Sequence, residues 1–100
     1  MKCLTITAHT DDQQDLTNLL NGAEQVQGFT LTHVEGHGIE SEKDAFLSAR
    51  EEVVGSSPRI QIDIILQEND VSTVIDTLRG TVKAGSIYYR LTDVEQNGHL

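Results

Sequence analysis

The chain has 100 residues, 37% of them hydrophobic, with one Pro, one Cys and no Trp, a composition that describes one ordinary globular domain (residues 1–100) and leaves no room for a second core. Sixteen acidic residues against seven basic ones give a formal net charge of -9, which repels phosphate backbones and excludes general binding to nucleic acid or to an anionic membrane surface. Cys3 has no internal disulfide partner and fits a reducing compartment; no apolar run approaches the roughly 18 residues that span a bilayer, and the opening MKCLTITAHTDD holds no signal-peptide core. The cytoplasm is the expected location, without direct membrane insertion.

Residues 2–8 alternate, with Leu4, Ile6 and Ala8 on one face and Cys3, Thr5 and Thr7 on the other, as in a strand that buries one side. Thr10-Asp11-Asp12-Gln13 then has the spacing of a capping box, and its acids suit the positive end of a helix. Leu16, Leu19, Leu20 and Ala23 follow at helical spacing while Asp15, Asn18 and Asn21 face water. Gly28 closes the connection. In residues 29–35, Phe29, Leu31 and His33 alternate with Thr30, Thr32 and Val34 as a second strand, and Gly36-His37-Gly38 is expected to let the backbone leave the sheet.

Residues 36–58 form a connection too long for a domain of this size unless it is functional. Part of it, residues 42–54, is rich in helix formers and spaces Ala45, Phe46, Ala49 and Val53 three to four apart. Gly55-Ser56-Ser57-Pro58 reads as the turn that ends it. Residues 59–66 are a third strand, with Ile60, Ile62 and Ile64 set against Gln61, Asp63 and Ile65. Asn69 or Asp70 caps a second helix whose stripe is Val71, Val74, Ile75, Leu78 and Val82, and residues 86–92 form the fourth strand.

The order is strand, helix, strand, long loop, strand, helix, strand. It predicts an α+β, ferredoxin-like βαββαβ fold: an antiparallel four-stranded sheet with two helices on one face and a long loop between strands 2 and 3. Its core is aliphatic, since Phe29, Phe46, Tyr88 and Tyr89 are the only aromatics. The uncovered face then carries Cys3, Thr5, Thr7, Thr30, Thr32, Val34, Gln61, Asp63, Ile65, Tyr88, Arg90 and Thr92, and oligomerisation is the usual remedy for such a face and its edge strands.

Residue types that carry chemistry are sparse. Ser48, Ser56, Ser57 and Cys3 lack the context of an activated nucleophile, so no enzyme is expected. His33, Glu35 and His37 fall on alternate positions, and imidazole with carboxylate suits Zn, Ni or Cu. The set is one ligand short of a closed site, and two strand histidines explain it without a metal. No metal or other cofactor is therefore expected. Arg59, just after Pro58, can meet an anionic ligand at the loop base or serve a salt bridge.

The stretch Gly28-Phe29-Thr30-Leu31-Thr32-His33-Val34-Glu35-Gly36-His37-Gly38, the loop running on to Pro58 and the Ile-rich strand after it resemble the PII signal-transduction family. That family comprises trimeric ferredoxin-like proteins whose long loop docks onto enzymes and transporters. The resemblance spans nearly the whole chain. It implies a homotrimer, a small-ligand cleft between subunits bounded by Gly36, His37, Gly38, Arg59, Gly85 and Ser86, and a docking loop over residues 38–57 carrying Glu42, Phe46, Arg50 and Glu52.

Departures from the family pattern fall on its chemistry. Ile39 and Glu40 stand where the family holds ATP with Arg and Gln, and Ser86 replaces a phosphate-binding Lys. Residues 93–100 contain no Arg, and Glu52 occupies the place of a Tyr that some members modify. The resemblance thus implies a regulatory protein that docks on a transporter or enzyme and has lost sensing of ATP and 2-oxoglutarate. A divalent-metal-binding or metal-tolerance accessory of the same trimeric architecture is the alternative.

Overall fold

The structure, a computed structural model, describes residues 1–37, 56–81 and 86–100. They form β1 (Lys2–His9), α1 (Gln13–Gly22), β2 (Thr30–His37), β3 (Ser56–Leu66), α2 (Val71–Thr81) and β4 (Tyr88–Asp93), with a 3-10 turn ahead of each helix. The strands make one antiparallel sheet in the order β2-β3-β1-β4. This is the ferredoxin-like βαββαβ arrangement that the alternation of elements predicts.

Strand alternation decides what each face does. Ladder partners Leu4↔Ile64, Ile6↔Ile62 and Ala8↔Ile60 put six apolar side chains on one face of the two central strands, and all six are almost completely removed from solvent. Leu16 and Leu20 of α1 and Val71, Val74 and Leu78 of α2 pack onto that face, with Leu19, Val26, Phe29, Leu31, Ile75 and Ile87 at its margin. Burial of each large aliphatic side chain is worth about 1.5–3 kcal/mol, so this layer carries the fold. Among the described residues no helix is long and apolar enough to cross a membrane.

Local details differ from the sequence reading in two places. The first helix is not opened by a Thr10 capping box. Thr10–Asp12 forms the 3-10 turn, capped by His9, whose Nδ1 accepts from the Asp11 N–H at 3.1 Å; the imidazole takes the cap position one residue earlier than Thr10, whose hydroxyl would have reached the N–H of Asp12 or Gln13. The second helix follows the 3-10 turn Glu68–Asp70, whose own N-cap is Gln67, and Asp70 is the residue immediately before Val71, at the start of the helix where the sequence places Asn69 or Asp70 as the cap.

Second, β2 does not leave the sheet at Gly36, and Ser56-Ser57-Pro58 is not a turn. Glu35↔Pro58, Gly36↔Ser57 and His37↔Ser56 are paired, while β1 stops at His9↔Arg59. Past that point, among the described residues, β3 has β2 on one side only. Pro58 therefore occupies an edge position, where a strand tolerates the missing N–H.

The two outer strands are unlike each other. On β4, Tyr89 and Leu91 oppose Ile6 and Leu4 and so point to the helix side, yet they are 54% and 41% exposed. Neither helix reaches over that strand. At one end of the β1–β4 ladder, Lys2 is hydrogen-bonded to Asp93, and the Val94 N–H donates to the Met1 carbonyl at 3.1 Å. The hydrogen bond and charge of Lys2 lower the Asp93 carboxyl below its ordinary value, and Asp93 raises Lys2 in return.

Candidate functional site

The face opposite the helices is neither a second core nor a hydrated plain. Thr5, His9, Ser57 and Arg59 are buried on it. Thr5 Oγ1 donates to Asp63 Oδ1 at 2.6 Å across the β1–β3 ladder, and Cys3 Sγ lies 3.7 Å from Thr5 Oγ1. The Thr5–Asp63 bond joins β1 to β3 on their polar side.

Arg59 holds the centre of the candidate site. It stands where β1 ends, opposite His9 on one side and Val34 on the other, and is only 4% exposed. Its aliphatic stem runs across Gly36: a Cβ built there would lie 2.8 Å from Arg59 Cγ and 3.1 Å from Nε. Glycine is required at 36 for this close approach, which gives the residue a packing role in place of the expected role of breaking the strand.

A cavity of about 360 Å³ opens beside this packing, at the root of the connection between β2 and β3. Val34, Glu35, Gly36 and His37 of β2 line one side and Arg59 and Gln61 of β3 the next. Thr7 of β1 with Tyr88 and Arg90 of β4 complete it. Glu35 Oε2 and His37 Nε2 are 2.6 Å apart, both side chains exposed.

Of the residues assigned from sequence, the fold thus brings Gly36, His37 and Arg59 together. Ser86 is half-buried outside the lining. Gly38 and Gly85, and the docking residues Glu42, Phe46, Arg50 and Glu52, lie outside the described residues. Thr7, Gln61, Tyr88 and Arg90 are additional lining that the sequence reading placed on this face without assigning a ligand. The signal was the alternation itself, since 59 and 61 on β3 and 88 and 90 on β4 are same-face pairs.

The metal reading finds two donors, not a site. Glu35 and His37 pair, but among the described residues no group of three His, Cys, Asp or Glu could hold an ion. A second cavity, of about 680 Å³, lies at the other end of the sheet, with Gln25, Gln27, Gln67, Asp63, Asp70 and His99 in its lining. Asp63 there is committed to Thr5, and no Lys or Arg is among its described lining.

Comparison with known proteins agrees with this architecture. A family model described as "Protein of unknown function (DUF3240)" matches residues 1–100. The crystal structure of a DUF3240 family protein from Shewanella baltica OS155 superposes with a TM-score of 0.79 at 20% sequence identity, covering 99% of this chain and 94% of that one. At that identity the likeness is one of fold.

Proposed function

The chain belongs to the DUF3240 family, and from that premise we propose that it is a PII-like, non-enzymatic regulatory module that docks on a partner protein, a transporter or an enzyme, through residues 38–57. The observation that carries this reading is the way the connection is rooted. Its two ends leave from a paired ribbon, Glu35–His37 with Ser56–Pro58, that runs past β1, and a cavity opens at the base of that ribbon. A ligand held there touches the root of the docking segment, so occupancy and docking are coupled through one short piece of sheet.

Further support comes from the outer strand and from charge. β4 leaves Tyr88, Tyr89 and Leu91 exposed, which suits a cytoplasmic homotrimer that covers this strand. Ile39, Glu40 and Ser86 replace the ATP-holding residues of the PII pattern; the module has lost ATP and 2-oxoglutarate sensing and has no catalytic role.

The test combines light scattering on the purified chain with crosslinked recovery of a partner by the intact chain and by a variant whose residues 39–55 are replaced with a two-residue Asn-Gly turn. A trimer in both, and a partner recovered only by the intact chain, is expected. A strict monomer, or equal recovery by both, refutes the reading. The metal-accessory alternative rests on the Glu35–His37 pair, and it requires Zn to shift the His33 and His37 ring signals together at micromolar concentration.

A further inference from the structure

We infer that the cavity on the open sheet face binds a small oxyanion, a molecule carrying a carboxylate or phosphate group, between the guanidinium groups of Arg59 and Arg90. The inference rests on reading this cavity as the ligand site of the module; it does not depend on what residues 38–57 contact.

The ladder register sets out the geometry. Arg59 faces His9; one row along the same face come Thr7, Gln61 and Tyr88, and one row further Arg90 and Asp63 flank Thr5, with Asp63 accepting from the Thr5 hydroxyl and lying outside the lining. A cation therefore stands at either end of a floor built from a hydroxyl, an amide and a phenol. All three uncharged groups donate hydrogen bonds, which complete an anion's solvation once the guanidinium forks have engaged its oxygens. Arginine suits this role because its planar donors match the paired acceptors of carboxylate and phosphate.

Charge distribution favours the same ligand class. The chain carries sixteen acids and seven Lys or Arg, yet among the described residues two of those cations line this one cavity and a single acid, Glu35, does. Glu35 is itself engaged by His37. In a molecule of formal charge -9 the described lining thus holds more cations than acids, and a cleft with low-dielectric walls focuses such a field. Arg59 is held in place before any ligand arrives, by burial and by its seat over Gly36, so little side-chain freedom is lost on binding. The volume of about 360 Å³ lies near the lower end of small-molecule sites, roughly 300–1,000 Å³, which limits the ligand to a small molecule.

The experiment is a titration of the full chain with inorganic phosphate and, separately, with succinate, each against sodium chloride of equal ionic strength, followed by backbone amide shifts of Thr7, Gln61 and Arg90. Saturable shifts with either anion are expected; phosphate alone identifies the phosphate group as the ligand chemistry, and succinate alone the carboxylate. Arg90 is exposed on an edge strand of the single chain, so Arg90→Gln keeps the fold of the chain, checked by its amide spectrum and by light scattering, while weakening binding about tenfold or more, as expected for losing a charge-assisted contact. Arg59→Lys weakens it as well if that variant folds.

No saturable shift beyond the chloride control, or equal affinity in Arg90→Gln, overturns the inference. Oxyanion binding without loop-dependent partner recovery defeats the docking reading alone. Partner recovery without oxyanion binding defeats this inference alone.

Discussion

Replacing Gly36 with Ala perturbs the contact on which the candidate site is built. The new Cβ would lie 2.8 Å from Arg59 Cγ, 3.1 Å from Nε and 3.5 Å from Cδ, where ordinary contact begins at 3.4 Å. The nearest atom is therefore about 0.6 Å too close, and it sits in the middle of a side chain that is 4% exposed. Overpacking of this kind costs about 1–3 kcal/mol. Loss of glycine's freedom in the unfolded chain returns about 0.4–1 kcal/mol, so a net destabilisation of about 1–2 kcal/mol is expected. For a domain of this length that lowers the melting temperature by roughly 4–15 °C.

Thermal and urea unfolding of Gly36→Ala, Arg59→Ala and the double variant measure the effect. With Cγ, Cδ and Nε gone, Gly36→Ala becomes neutral or slightly stabilising, and the cycle gives a coupling of about 1–3 kcal/mol. An equal penalty in both backgrounds, with coupling below about 0.5 kcal/mol, refutes the claim that Gly36 is there to seat Arg59.

Three further outcomes follow from the packing and the charges. Thr5→Val removes the donor to Asp63 at 2.6 Å and is expected to cost about 1–3 kcal/mol in urea unfolding, the range for a hydrogen bond to a charged group; a change within experimental error would mean that water replaces it. Leu16→Ala, at a fully buried position, costs about 2–5 kcal/mol. Leu91→Ala, 41% exposed in the single chain, costs within about 0.5 kcal/mol unless β4 is a subunit contact, in which case the loss grows as the protein is diluted.

Asp93→Asn tests the Lys2–Asp93 pair through pH. The Asp93 carboxyl is lowered by Lys2, so its contribution is present above the unfolded-state value and disappears as pH falls through the lower folded one. Lys2 is raised by Asp93, so its contribution is present below its unfolded-state value and disappears as pH rises through the higher folded one. The wild-type advantage over Asp93→Asn is thus a plateau from about pH 4 to about pH 10 that fades at both ends and shrinks with salt. An advantage independent of pH would show that the pair is not its source.

The amino-acid sequence by itself determined the elements and their buried faces. The alternation of Leu4, Ile6 and Ala8, that of Ile60, Ile62 and Ile64, and the helical spacing of Leu16 with Leu20 and of Val71, Val74 and Leu78 are local periodicities. A period of two or of 3.6 states which side of an element meets the core. The order of those elements then left the ferredoxin-like arrangement as the simplest way to bury them. What local pattern does not contain is register, because pairing partners lie far apart in the chain and a glycine or proline has the same local meaning wherever it falls. Only the tertiary structure decided that Gly36 and Pro58 belong inside the β2–β3 ribbon, because there one makes room for Arg59 and the other sits where no β1 neighbour needs its N–H. It alone joined Thr5 to Asp63, 58 residues apart, and set Arg59 and Arg90 around one cavity. Those juxtapositions arise from strand pairing across the whole sheet, and so the site became visible only once the strands were in place.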